Sequence, residues 1–301
     1  MRSKFPKDFV ITPLSYLIQE DYDAFLAERE RDPNALWILK PVAASCGRGI
    51  KIINSTQRIN KKEGYLAAKY IDNPHLLNGL KYDMRVYALV TSFNPLRIYM
   101  YNDGLVRFAT EKYSNDPRKL QKKFVHLTNF AINKKNTNFV KNNDQFVMGK
   151  LQGQQSAHGG QVDEDQMEFD QNTSKWDFRM LRMAYEDKGI NYEYVIAQFK
   201  DLIVKTLLCV EPIITQNLQK NPTSRVNCFE LYGFDILVDS NHKPWVLEVN
   251  VLPSLSSSSP FDKRIKTQLI CDTLTLVGIR GYDKQKFHSQ TTELLGLAPF
   301  S

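Results

Sequence analysis

The chain has 301 residues, 42% hydrophobic and 24% charged, with 14 Gly, 13 Pro and a net charge of +7. That composition is that of an ordinary globular protein of one or two domains and excludes collagen-like and low-complexity classes. No run approaches the roughly 18 apolar residues of a membrane span, and the start, MRSKFPKDFVITPL, lacks the apolar stretch of a secretory signal.

In chain order, Leu14, Leu17, Ile18, Phe25 and Leu26 recur among acids and predict a helix over 14–31. LWILKP reads as a strand ended by Pro41, AASCGRG as a small-residue loop, and IKIIN and YLAAKYI as two further strands. Between Met84 and Ala109 the pattern predicts three strands in a meander, turned at Asn94-Pro95 and at Asn102-Asp103-Gly104. Residues 112–150 hold nine basic and two acidic side chains, a local patch of +7. Residues 151–172, with six Gln, three Gly and five acids, predict a disordered insertion. A long helical stretch is expected from about Trp176 to Gln219, then strands FELYGFDILVD and PWVLEVNV around Ser240-Asn241-His242-Lys243, and a final helix in FDKRIKTQLICDTLTLVGI. Cys46, Cys209, Cys228 and Cys271 are far apart and form no C-x-x-C, which argues against a disulfide scaffold or zinc site and fits a reducing compartment. Mixed elements with mostly antiparallel strands predict an α+β fold.

Three constellations carry chemistry. A hairpin turn centred between Asn241 and His242 sets Asp235 opposite Glu248, with Asn250 on the face of Glu248. Opposed carboxylates repel unless a cation lies between them, and Mg²⁺ is held by one or two carboxylates together with phosphates. Lys81, Asp83 and Arg85 share one face of a strand and Arg107 comes from the same meander; guanidinium forks suit phosphate oxygens. Lys40 precedes a loop in which Gly47 and Gly49 let backbone N–H groups approach a phosphate. Each reading has a plainer counterpart: solvent-facing acids, a salt-bridge ladder around Asp83, and a tight turn. No Walker loop or protein-kinase motif set is present, and no recognition motif accompanies the positive charge, so nucleic acid is not the expected partner.

Taken in order, WILKPVAASCGRGI, GLKYDMRVYALVTSFNPLRIYMYNDGLVRFATEKY, KFVHLTNFAINKK, ELYGFDILVD and PWVLEVNVLPSL resemble the ATP-grasp fold of the tubulin tyrosine ligase-like family. The resemblance runs from about Phe5 to Gly278. It implies a central subdomain over residues 1–71, with the family's amino-terminal domain largely missing, and a carboxyl-terminal subdomain over 72–301 carrying the 151–172 insertion. The nucleotide would lie between the two.

The family activates a carboxylate with ATP as an acyl phosphate, which an amine then displaces. By resemblance, Lys40 reaches the phosphates, Lys69, Tyr70 and Ile71 line the adenine pocket, and Lys81, Asp83, His126, Thr128 and Asn129 contact the nucleotide. Arg85 and Arg107 would hold the γ-phosphate and acyl-phosphate oxygens, and Asp235, Glu248 and Asn250 the Mg²⁺, for which Mn²⁺ is a substitute. VNVLPSLSSSSPFD followed by RIKTQLICDTLTLVGI is most similar to the glutamate-adding members. The expectation is therefore a monomeric ATP-dependent ligase adding free glutamate to the acidic tails of tubulin. Its expected setting is cytoplasmic microtubules, cilia and basal bodies included, without a membrane. Lys119, Lys122 and Lys123, just upstream of His126–Asn129, are the expected grip on the acceptor tail. The alternatives are a glycine-adding ligase of the same family and an inactive tubulin-tail-binding module.

Overall fold

The computed structural model describes residues 1, 3–42, 44, 47–140, 173–220 and 228–279. The 151–172 insertion and the 141–150 end of the basic patch lie outside the described residues.

The first of two antiparallel sheets contains β1 (Ser15–Leu17), β2 (Trp37–Pro41), β3 (Lys51–Ile53) and β4 (Tyr65–Lys69), in the order β1-β4-β2-β3. Alternation in WILKP turns Trp37 and Leu39 inward, where the edge of Phe25 meets the Trp37 ring at 5.0 Å. Phe25 comes from helix α1 (Tyr22–Arg31). The predicted 14–31 helix is therefore corrected: its first turn is a strand. Pairing of Ser15–Leu17 with Ala68–Leu66 overrides the helical spacing, and Asp21 reaches back to accept from the Leu17 N–H at 3.0 Å, closing the bend before α1.

The second sheet has β5 (Leu76–Leu77), β6 (Leu80–Phe93), β7 (Leu96–Phe108), β8 (Lys175–Trp176), β9 (Glu230–Val238) and β10 (Pro244–Asn250). Its order is β10-β9-β6-β7-β8, with β5 paired to β6. On β6, Met84, Val86, Ala88 and Val90 face an apolar core built with helices α4 (Phe178–Asp187) and α5 (Tyr192–Gln219). Lys81, Asp83, Arg85 and Tyr87 take the opposite face. A 3-10 turn at Pro117–Lys119, short helices α2 (Lys123–His126) and α3 (Phe130–Asn133) and α6 (Pro260–Leu276) complete the described elements.

The expected three-strand meander is two long strands. Asn94-Pro95 does turn the chain, but Asn102-Asp103-Gly104 lies inside β7 as a bulge: Val86 pairs with Gly104 and Ala88 with Met100, so three residues oppose Tyr87 alone. Turn-forming residues serve a bulge equally well, because both need a local break in the ladder. Asp103 anchors it, accepting from Gly104 N–H at 2.7 Å and from Phe178 N–H at 2.9 Å. The helical stretch expected over 176–219 is made of two helices. Trp176 belongs to β8, and Gly189, at φ 70°, ends α4 before Asn191 caps α5 by accepting from Tyr194 N–H.

A Cβ at Gly104 would lie 2.6 Å from the Arg85 carbonyl oxygen and 2.7 Å from the Phe178 ring. Gly104→Ala is expected to lose about 1–3 kcal/mol of unfolding stability through this overpacking. Urea denaturation checks it; an unchanged midpoint would mean the bulge relaxes freely.

Candidate active site

Strand register places the charges. β6 sets Asp83 opposite Arg107 of β7 and Arg85 opposite Asp235 of β9. Arg107 donates to both Asp83 oxygens, at 2.7 and 2.6 Å, and its Nη2 lies 2.9 Å from Asp235. Arg85 donates to Asp235 through Nε at 2.5 Å and Nη2 at 3.2 Å. All four side chains are 13% exposed or less. Burial opposes ionisation of Asp235, but Arg107 and Arg85 together outweigh it and hold its pKa below the ordinary range. Burial likewise opposes the charge on Arg107, and Asp235 and Asp83 hold it firmly protonated. The salt-bridge ladder and the paired arginines are thus one object. Gly233 allows it: a Cβ there would sit 3.1 Å from the Arg85 stem and 2.8 Å from Pro253.

Asp235 also pairs with Glu248, as the hairpin arithmetic expected, though by a different path. Next to the turn, Pro244 pairs with Val238 and Val246 with Ile236; a bulge at Leu247 then shifts the register so that Glu248 meets Asp235 and Asn250 meets Gly233. Leu247's carbonyl, freed from the ladder, accepts from Lys40 Nζ at 3.0 Å, tying β2 of the small sheet to β10 of the large one. Burial lowers the Lys40 pKa, against the attraction of Glu248, Asp235 and Asp83. Among the described residues no three His, Cys, Asp or Glu side chains gather as a metal cluster. The donor set at the hairpin is two carboxylates and the Asn250 amide, whose nitrogen, not its oxygen, is used in a 3.3 Å bond to the Gly233 carbonyl. Hard oxygen donors few in number fit a magnesium ion that takes its other ligands from phosphates.

At the other end of β6, Lys81 Nζ donates to Tyr70 Oη at 2.9 Å, and Tyr70 donates to His126 Nδ1 at 2.9 Å. The remaining His126 nitrogen, Nε2, meets the Lys119 carbonyl at 3.1 Å, which requires the proton on Nε2. Burial, with Lys81 beside it, pushes the His126 pKa down to about 4, so the ring is neutral. Burial also lowers Lys81 to about 7, partly opposed by Asp83. Gly47 and Gly49 both have φ 74°, and a Cβ on Gly47 would meet the Asn129 amide oxygen at 2.9 Å and Ile132 at 2.6 Å. The glycine loop therefore rests on the Thr128–Asn129 segment, with Thr128 itself buried.

The other expected residues lie further out. Lys69, at the end of β4, pairs with Asp32 at 2.6 Å with both side chains about 40% exposed, and Ile71 is partly buried. Lys119, Lys122 and Lys123 are exposed, and Lys123 lines a cleft with Lys51, Gln121 and His126. Four residues that the sequence reading passed over lie within electrostatic reach of the Arg85–Arg107 group or of one another: Tyr87, Lys175, Asp262 and Lys266. Only Tyr87 had a signal, because it continues the alternation of Lys81, Asp83 and Arg85.

The tubulin-tyrosine ligase family model matches residues 1–158 and 154–286. The chain is 39% identical over 279 residues to the tubulin monoglutamylase of Mus musculus, covering 92% of this chain and 22% of that relative. It is 37% identical over 272 residues to a tubulin polyglutamylase of Homo sapiens, covering 90% and 19%. To a tubulin polyglutamylase of Danio rerio it is 34% identical over 290 residues, covering 95% and 34%. The chain thus spans between about a fifth and a third of the length of these curated relatives. With its family model matched over nearly all of its length and an α+β build of antiparallel sheets suited to the ATP-grasp fold, the chain belongs to the tubulin-tyrosine ligase family.

Proposed function

We propose that the chain is an ATP-dependent carboxylate–amine ligase that adds glutamate to glutamate side chains in the acidic tails of tubulin. The observation that carries this reading is the convergence of Arg85 and Arg107 on Asp235, directly across from Glu248. The similarity to proteins named as tubulin glutamylases supports glutamate and tubulin within the family.

The chain's residues divide the work along β6. Tyr70, Lys81 and Asn129, with the Gly47–Gly49 loop, receive the nucleotide between the 1–71 and 72–301 subdomains. Lys40 holds phosphate oxygens. The bonds of Arg85 and Arg107 to carboxylates use Nε and Nη2, which leaves Nη1 of each for the transferred phosphoryl group. Because Asp83 and Asp235 fix both guanidinium planes before substrate arrives, they need no reorganisation as charge develops. Asp235, Glu248 and Asn250 would hold magnesium, which would neutralise phosphate oxygens when bound. His126 positions Tyr70 rather than titrating, since both its nitrogens are committed. The acceptor's carboxylate takes the phosphoryl group, and the α-amino group of free glutamate then displaces phosphate to form the amide. We place this activity on microtubules in the cytoplasm, cilia included.

Incubation with tubulin, Mg-ATP and each of glutamate, glycine and tyrosine, followed by intact mass, tests the reading: increments of glutamate alone are expected. Glycine increments, or none, would overturn it. Glu248→Gln should fold normally and lose at least about a hundredfold in turnover; near-normal turnover would remove Glu248 from the metal set.

Lys81 gives a pH signature. With its pKa near 7 against an ordinary 10.5, it is charged below that pH and neutral above it. Bound ATP, an anion, favours the charged form. Affinity should therefore weaken from about pH 6 to about pH 9, and Lys81→Met should flatten the slope. Isothermal calorimetry checks this; an equal slope in Lys81→Met assigns the titration elsewhere.

Charge reversal of Lys119, Lys122 and Lys123 together should raise the KM for tubulin and leave ATP affinity unchanged. The wild-type KM should rise with salt, since exposed charges are screened beyond about 8 Å at physiological ionic strength. A salt-insensitive KM would exclude the patch from acceptor binding.

A further inference from the structure

The segment that leads out of the small sheet is fastened to the turn of the β9–β10 hairpin. Pro74 and Asp239 form an isolated antiparallel bridge. Ser240 N–H donates to the Asn73 carbonyl at 2.8 Å, and His75 N–H donates to the Val238 carbonyl at 2.9 Å. Two imidazoles meet across this seam: the rings of His75 and His242 have centroids 5.3 Å apart and planes inclined at 61°. Both residues are partly buried, and neither takes part in the chemistry proposed above.

The His75 ring is held from behind. Its Nδ1 lies 2.8 Å from Tyr82 Oη, which lies 2.6 Å from Tyr185 Oη, and both tyrosines are fully buried. A hydrogen bond on one ring nitrogen is how metal-binding histidines are oriented. When Nδ1 donates to Tyr82, the lone pair is on Nε2. His242 has φ 60°, a left-handed backbone that few residues with a side chain adopt, and it brings its ring to His75 from there. Among the described residues neither His75 Nε2 nor either ring nitrogen of His242 has a hydrogen-bond partner. Burial, with His242 and Lys188 nearby, pushes the His75 pKa down to about 4, so its ring is neutral at pH 7, the form that binds metal.

We infer that His75 and His242 form a two-histidine site for a divalent transition-metal ion of the zinc class, which ties the segment after β4 to the hairpin turn. The ring spacing suits it. Zinc binds an imidazole nitrogen at about 2.0–2.1 Å, which sets each ring centroid about 3.2 Å from the ion and two rings at a tetrahedral angle about 5.2 Å apart. Imidazole donors select zinc, nickel or copper over magnesium, so this site is chemically separate from the oxygen donors at Asp235, Glu248 and Asn250. No third His, Cys, Asp or Glu completes a cluster among the described residues, so water takes the remaining positions and the ion is held less tightly than in a closed four-ligand site. The charge of Lys188, at the end of α4, opposes the ion and sets how tightly it binds.

Titration of the chelator-treated chain with zinc chloride, by calorimetry and by melting temperature, tests this. The wild type should bind one equivalent of zinc that is lost in His242→Asn, because asparagine tolerates the left-handed turn but brings no imidazole. His75→Gln, whose amide can still meet Tyr82, should lose the same equivalent. Thiols elsewhere bind equally in all three chains and cancel. Zinc should raise the melting temperature of the wild type and leave both variants unmoved, while any response to magnesium chloride should be the same in all three. Lys188→Gln should bind zinc several-fold more tightly. Equal zinc binding in wild type and His242→Asn, no zinc stabilisation of the wild type, loss of the magnesium response together with the zinc one, or an unchanged affinity in Lys188→Gln would overturn the assignment. No substrate is present, so the outcome is independent of the ligase reading.

Discussion

The carboxylate of Asp235 sits buried between two guanidinium groups, and the active face is organised around that contact. Removing one partner from a buried ionic group typically costs about 3–5 kcal/mol, because a charge is left without compensation. Here the partners come from three adjacent strands, β6, β7 and β9, so the triad pins their register as well as their charge. Asp83 extends it by sharing Arg107. The rotamers of both arginines are thereby fixed by the fold, and on the ligase reading proposed above the entropy of orienting them would not be charged to the reaction.

Two weaker links attach the small sheet to this centre. Lys40 reaches across to the Leu247 carbonyl, and the Lys81–Tyr70–His126 chain joins the end of β4 to the start of β6 and to α2. Both links are made by lysines whose ammonium groups burial disfavours. On the ligase reading proposed above, an anionic ligand between the sheets would relieve that cost in both places at once and so would hold the sheets together more firmly.

Much of the centre was legible because strands make local arithmetic into geometry. Alternation alone put Lys81, Asp83 and Arg85 on one face, and the hairpin brought Asp235 to Glu248. The hairpin shows the limit of that arithmetic: the pairs nearest the turn are offset by one from the expected sum, and the bulge at Leu247 supplies the missing residue. Asn102-Asp103-Gly104 was read as a turn because the same residues suit turns and bulges, and only the partner strand decides between them. Ser15–Leu17 followed β4 rather than its own spacing for a similar reason. Lys175, Asp262 and Lys266 were invisible to any local rule. Charged residues on a helix and a two-residue strand read as surface, and their burial exists only once α6 is laid over β7.

The bulge at Leu247 has one more consequence. A residue outside the ladder can be lost without disturbing its neighbours' partners, so a hairpin shorter by that residue would still set Glu248 against Asp235. What it would lose is the stray carbonyl that Lys40 grips. Acid placement and inter-sheet tethering are thus encoded in separate backbone positions one peptide unit apart, and a change in strand length there would loosen the tie between the two sheets before it moved the acids.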